Sequence, residues 1–447
     1  MIENDAFKLL LINLFHLNPD DIANIFCTTF NKMMVLIVTL ADKHQACPYC
    51  GFTAPKIKEY VTKEITHSAL TTQKCIIKYR ARRYKCPCCG KTYYEFNPFV
   101  FKSQKISILT VHNILKDLKD FNETFTSVAR RYHVSPTSVS TIFDNHVDIG
   151  RNPLPEIINF DEVYAFKSEK SKYVCVLLDF KKQIPVDVLP NRKKEYLLNY
   201  FQKIPLEERK KVKYACSDMY EVYRDVVHKV FPCSCMLLDY FHLSQDFHRK
   251  MNEVRIKVMK GYKDDKASDE YYLLKKFNWL LFKNPEDEDK YGRLFDVERE
   301  RKYNSHFKSY MNYYDLRRKL LEINNNITIC YSLKLELVDF YSKSTIDNAQ
   351  VNLEHLIRSC IDTNIEEMIA FSNNLINWKQ EIINSFTIVG TEYKVEADKG
   401  QVVVCNKKVN NAIIENRNKI IKCIKNNANG YTNWSRFRNR VMYVLDP

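Results

Sequence analysis

Glycine is scarce in this chain: only 8 of its 447 residues are glycine, where average composition would give roughly 7%. Long apolar runs are also missing, because the best one, Met33 to Ala41, is far shorter than the roughly 20 residues that cross a bilayer. The first residues, MIENDAF, lack the basic region of a secretory signal, and the chain has no internal repeat or low-complexity linker. We therefore expect a soluble, cytoplasmic protein that does not span a membrane.

Acidic residues are outnumbered by basic ones. The chain has 69 Lys and Arg against 54 Asp and Glu, which gives a net charge of +15 and a pI of about 9.0. A field of this sign attracts polyanions over long distances without specifying which one. Nucleic acid is the first candidate partner, and an anionic membrane surface is the second.

The sequence pattern changes along the chain and predicts a multidomain α/β protein. Residues 1–105 carry two cysteine pairs, residues 106–150 have the pattern of short helices, and residues 151–245 alternate strands with helices. Residues 246–385 have an almost continuous helical pattern, which predicts an all-α segment. Residues 386–447 add a short β-like stretch and a basic helical segment. These ranges are the predicted domain boundaries.

Paired cysteines predict a zinc site in residues 1–105. The chain has 15 cysteines, an odd number, and no secretory signal, so a disulfide framework is not expected. Two Cys-x-x-Cys pairs, each followed by glycine, predict a structural Zn²⁺ bound by Cys47, Cys50, Cys86 and Cys89. Cys88 is either a spare thiol or a competitor of Cys89. A β-hairpin between the pairs would fill their long spacing, and a set of buried thiols is the alternative.

The predicted zinc module is basic. Between Lys56 and Lys105 there are 12 basic and 3 acidic residues, with tyrosines among them. This composition suits contact with phosphates, although a solvated charged face is the plainer interpretation.

Residues 125–143 have the pattern of a helix-turn-helix. Ala129 is a small residue in the first helix, and Ser135 followed by Pro136 is a combination that starts the second. Apolar residues of the second helix should face inward. The outward polar face predicted to read a DNA major groove consists of Thr137, Ser138, Ser140 and Thr141. An ordinary helical hairpin is the alternative.

Three acids follow strand patterns in residues 151–245. Strands are predicted at 157–160, 173–178, 184–189, 212–216 and 236–238, with helices after the third and fourth. This order is that of an RNase H-like mixed sheet, and it places Asp161, Asp218 and Asp239 at strand ends. Each aspartate alone favours a turn. Three at one sheet edge suit Mg²⁺ or Mn²⁺, because carboxylate oxygens are the ligands of hard divalent ions in phosphoryl transfer.

A basic helical segment near the C-terminus offers a further acid, Glu415. Isoleucines at helical spacing predict its buried stripe. The plain alternative is a surface Glu415–Lys419 ion pair worth a few tenths of a kcal/mol. From Glu415 to Pro447 there are 7 basic and 2 acidic residues, which favours phosphate binding. The residues predicted to contact DNA here are Arg417, Asn418, Lys419, Lys422, Lys425, Arg436, Arg438 and Arg440.

These motifs together resemble a known family. The run NNAIIENRNKIIKCIKNNANGYTNWSRFRNRVMY is similar to the C-terminal signature of the ISL3 group of DDE transposases from bacterial insertion sequences. The segments NFDEV, CSDMYEVY and LLDYFHL, the paired cysteines and the helix-turn-helix are also similar. Two family glycines are replaced, by Ala412 and Asn416, which would crowd the glutamate helix if the backbone were closely approached there.

The resemblance implies a metal-dependent transposition reaction. Water would hydrolyse a phosphodiester at the ends of the element, and the freed 3′-hydroxyl would attack target DNA. It implies Asp161, Asp218 and Glu415 as catalytic metal ligands, with Asp239 and His242 in support. Asp239 is a possible alternative ligand, and His242 is expected to be buried and hydrogen-bonded. Double-stranded DNA is the expected partner, bound by a homodimer or higher oligomer.

The resemblance assigns roles to the predicted domains. Residues 1–105 become a zinc-binding, DNA-binding module and residues 106–150 a helix-turn-helix. Residues 151–245 and 386–447 become the two parts of the catalytic core, and residues 246–385 the all-α insertion between them. An inactive or repurposed copy that only binds DNA is the main alternative, and a general nuclease of the same fold is another.

Overall fold

The computed structural model describes residues 2–43, 46–68, 70–101, 104–166, 171–395 and 402–446. The chain divides into two compact units. The first unit comprises Met1–Gly150, Tyr164–Phe166 and Lys419–Pro447, and the second comprises Arg151–Val163 and Lys167–Asn418. Among the described residues, no helix is both long enough and apolar enough to cross a membrane.

The first unit begins with a helix packed on a five-stranded sheet. The elements are α1 (Ile2–Leu14), β1 (Ile22–Phe30), β2 (Met33–Leu40), β3 (Lys56–Thr66), β4 (Cys75–Lys85) and β5 (Thr92–Tyr94). The strand order is β1-β2-β4-β3, and β5 pairs with β4. Leu11 and Ile12 pack with Leu36 and Ile77 in its apolar core. The antiparallel pair β3–β4 lies between the cysteine pairs, where the sequence predicts a hairpin.

Three short helices follow in the first unit. They are α2 (Ile108–Asp117), α3 (Phe125–Arg131) and α4 (Pro136–His146). The hydroxyls of Ser107, Thr124 and Ser135 each accept a hydrogen bond from a backbone N–H in the first helical turn, which fixes where each helix begins. The shared apolar core includes Ile114, Val128, Val139, Ile142 and Phe143. The predicted helix start at Ser135 and Pro136 is confirmed.

The second unit contains a mixed five-stranded sheet. Its elements are β6 (Ile157–Val163), β7 (Val174–Asp179), β8 (Pro185–Leu189), α5 (Lys194–Gln202), α6 (Leu206–Arg209), β9 (Tyr214–Ser217), α7 (Glu221–Val230) and β10 (Cys235–Leu238). The strand order is β10-β9-β6-β7-β8. β10, β9 and β6 are parallel, while β6, β7 and β8 are antiparallel. Apolar clusters on the sheet bury nearly every strand residue, which confirms the predicted α/β character.

Helices dominate the chain after this sheet. They are α8 (Tyr240–Gly261), α9 (Asp269–Lys276), α10 (Tyr313–Glu322), α11 (Asn325–Lys343), α12 (Ala349–Asp362), α13 (Glu366–Asn377) and α14 (Lys379–Asn384). The segment 246–385 is not all-α as predicted. Two hairpins interrupt it, β11 (Glu288–Asp289) with β12 (Gly292–Arg293) and β13 (Lys302–Asn304) with β14 (Ser309–Met311). Gly292, with φ of 97°, permits the first tight turn.

The last elements are a hairpin and two helices. They are β15 (Ile388–Val395), β16 (Val402–Lys408), α15 (Ala412–Asn427) and α16 (Trp434–Leu445). Three of the predicted stripe isoleucines of α15 are fully buried or nearly so: Ile414, Ile421 and Ile424. In the first unit, the ring of Tyr443 on α16 meets that of Phe143 on α4 edge-on, with centroids 5.8 Å apart.

Candidate active site

Three aspartates lie at one level across the parallel part of the second unit's sheet. In the strand register, Asn159 pairs with Cys216 and Cys216 pairs with Leu237. The residues two positions further along these strands are Asp161, Asp218 and Asp239. Residues two apart share a face, and the carboxyl ends of neighbouring parallel strands meet at one edge of a sheet. The register therefore brings three carboxylates to the same place.

Asp161 lies inside strand β6 and not at its end, so the predicted strand end at residue 160 is wrong. The strand continues because β7 pairs with it as far as Val163. Glu162 is also in the strand, and its carboxylate forms an ion pair with Arg192. Asp161 is consequently buried, with 8% of its surface exposed.

Both carboxylate oxygens of Asp161 accept hydrogen bonds. The backbone N–H of Glu162 donates to Oδ1 over 2.7 Å, and the side-chain amide of Asn418 donates to Oδ2 over 2.8 Å. Burial raises the pKa of Asp161 to about 6, and the nearby charges of Asp218 and Glu415 act in the same direction. The carboxylate is therefore oriented, and a cation beside it would favour its ionised form.

Asp218 follows β9 directly, as predicted. Its Oδ1 is buried and has no hydrogen-bond partner among the described residues. Burial also raises the pKa of Asp218. The side chain lines an open depression whose other residues are Met219, His242, Gln245, Asp246 and Arg249. A buried oxygen without a partner is costly in a folded protein, so this one is available to a bound cation.

Asp239, His242 and Glu415 form a compact cluster beside these two aspartates. One ligand atom from each lies within 4.8 Å of the other two. His242 Nε2 is 3.8 Å from Asp239 Oδ2 and 3.8 Å from Glu415 Oε1, which is too far for a hydrogen bond. Within the described chain, Asp239 Oδ2 and His242 Nε2 have no hydrogen-bond partner. These spacings and donor types fit a divalent ion.

His242 differs from its prediction. The sequence predicts a buried, hydrogen-bonded histidine, but 23% of the side chain is exposed and Nε2 faces two carboxylates. The reason is the position of His242 in the first turn of α8, three residues after Asp239 on the same helix face. His242 is therefore part of the cluster with Asp239 and Glu415 and not part of the hydrophobic core.

Buried asparagines position the elements that carry the acids. Asn159 donates its side-chain amide to Asn411 Oδ1 over 2.7 Å and to the carbonyl of Asn410 over 2.8 Å. The backbone N–H of Asn411 donates to Asp239 Oδ1 over 3.3 Å. Asn159 is not among the site residues predicted from the sequence. Its signal was a polar residue within an apolar strand, two positions before Asp161 and thus on the same face.

Two comparisons with known proteins bear on this site. The sequence profile of the ISL3-type DDE transposases, described as Transposase, matches residues 158–397, more than half of the chain. The chain belongs to this family. It is also similar to the transposase for insertion sequence element IS1001 of Bordetella parapertussis, with 19% identity over 398 residues that cover 88% of this chain and 87% of that protein.

Membership of the ISL3 transposase family confirms the resemblance seen in the motifs. It implies a DNA substrate and the use of a divalent metal ion. The matched range includes the three aspartates and His242, whereas Glu415 lies beyond its end. The two replaced glycines, Ala412 and Asn416, are exposed on α15, so their side chains do not crowd the acidic cluster.

The four predicted zinc ligands of this ISL3-family chain come together in the first unit. The thiols of Cys47, Cys50, Cys86 and Cys89 all lie within 4.8 Å of one another. In each pair the following glycine donates its N–H to the first cysteine's carbonyl over 2.9 Å, and both glycines have positive φ, 75° and 71°. Cys88 is exposed and outside the cluster, which favours Cys89 as the ligand.

The predicted DNA-reading residues lie in the first half of α4. Thr137 and Thr141 are exposed. Ser138 shares a hydrogen bond of 2.8 Å with the hydroxyl of Ser135, and Ser140 donates to the carbonyl of Thr137 over 3.0 Å. The two serines thus bond to their own helix, and the two threonines are the better candidates for contact with bases.

Several predicted DNA contacts are engaged in packing instead. Arg440 is fully buried and donates to the carbonyls of Asp120 and Glu123 over 2.8 and 2.9 Å, so it is not available to a phosphate. Asn418 is 5% exposed and bonds to Asp161. The physical reason is that amphipathic helices also use polar side chains to satisfy buried carbonyl and carboxylate groups.

The other predicted contacts are more accessible. Arg436 forms an ion pair with Asp144, and Arg438 donates to the carbonyl of Ile149 over 2.6 Å. Arg417 donates to the carbonyl of Gln183, and Lys425 lies 5.2 Å from the ring centroid of Tyr164. Lys419 and Lys422 are exposed on α15.

Proposed function

We propose that this protein is a DNA transposase that binds the terminal inverted repeats of an insertion sequence and catalyses metal-dependent strand cleavage and strand transfer. The observation that carries the proposal is the convergence of three aspartates, His242 and Glu415 at one sheet edge, where buried ligand atoms have no hydrogen-bond partner in the described part of the chain. Family membership supplies the DNA substrate class.

The sheet topology supports an RNase H-like catalytic core. Three antiparallel strands come first in the chain, and two further strands add in parallel beside β6 to give the order β10-β9-β6-β7-β8. The crossovers contain α5 to α7, as parallel connections require. In such a sheet the carboxyl ends of the parallel strands form the natural site for a ligand.

The residues fit a divalent metal ion, Mg²⁺ or Mn²⁺. Asp161, Asp218 and Glu415 would hold it, and the geometry favours Asp239 as a further ligand because its buried Oδ2, beside Glu415, accepts no hydrogen bond from the residues that the structure describes. When bound, such ions supply Lewis-acid stabilisation and a more acidic attacking hydroxyl in phosphoryl transfer. The imidazole of His242 would also suit Mn²⁺ better than Mg²⁺.

Side chains and backbone groups of the protein hold the acidic ligands in place and offer a cation to a DNA phosphate. Asn418 and the Glu162 N–H hold Asp161 in one orientation. His242 Nε2 lies 3.8 Å from an oxygen of Asp239 and 3.8 Å from an oxygen of Glu415, so it can join them around a bound ion. Arg249, on the rim of the depression that Asp218 lines, is placed to hold a DNA phosphate.

DNA recognition is assigned to the first unit. The basic zinc module and α4, with Thr137 and Thr141 exposed, would bind the element ends, and the exposed Lys422 would add a phosphate contact. Structural zinc would hold the two cysteine turns together. Binding two DNA ends and a target calls for a homodimer or higher oligomer on DNA.

End cleavage tests the proposal. The zinc-loaded protein is incubated with Mg²⁺ or Mn²⁺ and duplex DNA carrying the ends of its own element, and strand breaks are mapped on sequencing gels. We expect cleavage at the element ends by the wild type and a loss of at least a hundredfold for Asp161→Asn, Asp218→Asn and Glu415→Gln. Asp347→Asn, which alters an exposed carboxylate elsewhere in the second unit, is the matched control.

The results separate the alternatives. End binding without any metal-dependent cleavage would indicate a DNA-binding protein that has lost its catalytic activity. Cleavage of any duplex, without preference for terminal repeats, would indicate a general nuclease. Undiminished cleavage by Asp161→Asn would show that cleavage does not require the acidic cluster.

A further inference from the structure

A cavity of about 670 Å³ lies in the second unit, away from the acidic depression. It is formed by α9, both hairpins of the segment 246–385 and the beginning of α10, and it shares no lining residue with the depression. Its volume is within the range of roughly 300–1,000 Å³ that is usual for ligand sites. The proposed reaction makes no use of it.

The walls of this cavity are preformed. Asn312 is buried, and its side-chain amide donates to the carbonyls of Asp296, Val297 and Arg299 over 3.1–3.3 Å. Arg299 in turn donates to Asp289 over 2.6 Å and to the carbonyl of Arg293 over 3.0 Å. These bonds hold the stretch between the two hairpins, which has no regular structure, in one conformation, so a ligand would not have to order it.

Five of the residues that line the cavity are aromatic. The rings are those of Tyr272, Phe277, Tyr291, Tyr303 and Tyr313. Tyr291 and Tyr303 are 68% and 58% exposed, which is high for residues of this size. Flat, solvent-exposed faces at the mouth of a cavity are suited to stacking with another flat group.

The charges of the lining nearly balance. Arg299 and Asp289 neutralise each other, which leaves Lys276, Arg293 and Lys302 against Asp296 and Glu300. Lys302 lies 5.9 Å from the ring centroid of Tyr291, and Lys290, outside the cavity, lies 4.8 Å from it. A neutral, flat ligand therefore fits the interior, and cations at the rim fit anionic groups attached to it.

We propose that this cavity binds an unpaired nucleobase of a single DNA strand. A nucleobase is flat and neutral, its phosphates would remain outside near Lys290 and Lys302, and stacking on tyrosine is the common mode of binding unpaired bases. Asn304 and Ser305 supply polar groups for the base edge. The inference rests on the proposed function only in taking DNA as the substrate.

Base stacking is measured in the absence of catalysis. The full-length, zinc-loaded protein without Mg²⁺ is titrated into a single-stranded oligonucleotide that contains 2-aminopurine, whose fluorescence falls when it stacks on an aromatic ring. We expect quenching by the wild type and roughly tenfold weaker binding for Tyr291→Ala and for Tyr303→Ala. Tyr291→Phe and Tyr303→Phe should quench as the wild type does, since the ring is retained.

Tyr271→Ala is the matched control. Tyr271 is partly exposed and has Lys275 at 5.4 Å from its ring centroid, much as Tyr291 has Lys290, but it does not line the cavity. Thermal unfolding checks that every variant is folded. Equal quenching of a fully paired duplex, unchanged quenching in both alanine variants, or loss of quenching in Tyr271→Ala alone would overturn the inference.

The end-cleavage assay distinguishes failure of the nucleobase site from failure of the proposed catalytic function. Cleavage of element ends without quenching of the single strand would overturn the nucleobase site and leave the transposase assignment standing. Quenching that depends on Tyr291 and Tyr303 in a protein that does not cleave would support the site and count against the proposed catalytic function.

Discussion

Asn418 donates its side-chain amide to Asp161 Oδ2 over 2.8 Å, and both residues are more than nine-tenths buried. The bond joins the helix that carries Glu415 to the strand that carries Asp161. Because Glu415 is one helical turn before Asn418, this contact helps to hold together two carboxylates that come from opposite ends of the second unit's sequence.

Removing that contact should disturb both stability and cleavage. Asn418→Ala leaves a buried carboxylate oxygen without its donor, which costs about 1–3 kcal/mol. We expect a lower free energy of unfolding in urea, slower end cleavage and unchanged affinity for element ends. Asn426→Ala, an exposed asparagine on the same helix, is the control. Weaker DNA binding with normal cleavage of bound DNA would show that Asn418 contacts DNA after all.

Much of the acidic site was predictable because it depends on local patterns. Asp218 and Asp239 directly follow short apolar strands. Because these strands pair in parallel, the residues after their ends lie side by side. The sequence predicts a strand end before Asp161, whereas the strand continues to Val163. A polar residue is a good signal for a strand end only when its neighbour strand also ends there, and β7 continues to pair with Val163.

Long-range contacts were not predictable in the same way. The sequence gives no sign that His242 faces both Asp239 and Glu415, since this depends on how α8 and the first turns of α15 approach the sheet. From the sequence pattern alone, Arg440 looks like an exposed cation of a basic helix. Only the fold shows that it is buried and satisfies the carbonyls of Asp120 and Glu123.

Stability should depend on pH through Asp161. Burial raises its pKa from 3.8 to about 6, so the folded protein holds this proton more tightly than the unfolded chain does. The resulting stabilisation is complete below pH about 4 and is lost as the pH rises through about 6. Between pH 5 and pH 7, without added Mg²⁺, the loss should be about 1 kcal/mol.

Urea unfolding at several pH values checks this dependence. Asp161→Asn has no proton to lose, so its free energy of unfolding should fall less between pH 5 and pH 7 than that of the wild type. Asp347→Asn, at an exposed position, should behave as the wild type does. The same pH profile for Asp161→Asn and the wild type would contradict the raised pKa.

Arg249 should contribute to DNA affinity more than to chemistry. It lines the depression with Asp218, its side chain is 63% exposed, and its guanidinium is positioned by Asp246, which Asn374 holds over 2.8 Å. Arg249→Gln should raise KM for element-end DNA several-fold with a smaller change in kcat. It should also reduce the salt dependence of binding by about one released counterion.

Arg318 provides the matched control for Arg249. Arg318 is 62% exposed and also faces one acid, Glu322, on its own helix, but it is not among the residues of the depression. Arg318→Gln should leave KM and the salt slope unchanged. Equal effects of the two substitutions would mean that Arg249 contributes only to the general positive charge.

Zinc content should distinguish Cys89 from Cys88. The thiol of Cys89 lies 3.7 Å from that of Cys47 within the four-cysteine cluster, whereas Cys88 is exposed outside it. Because a structural zinc ion needs four ligands and stabilises the fold that presents them, Cys89→Ser should lower both the bound zinc and the unfolding temperature. Cys88→Ser should retain about one zinc per chain and unfold like the wild type. Elemental analysis of dialysed protein gives the ratio, and loss of zinc from Cys88→Ser but not from Cys89→Ser would reverse the assignment.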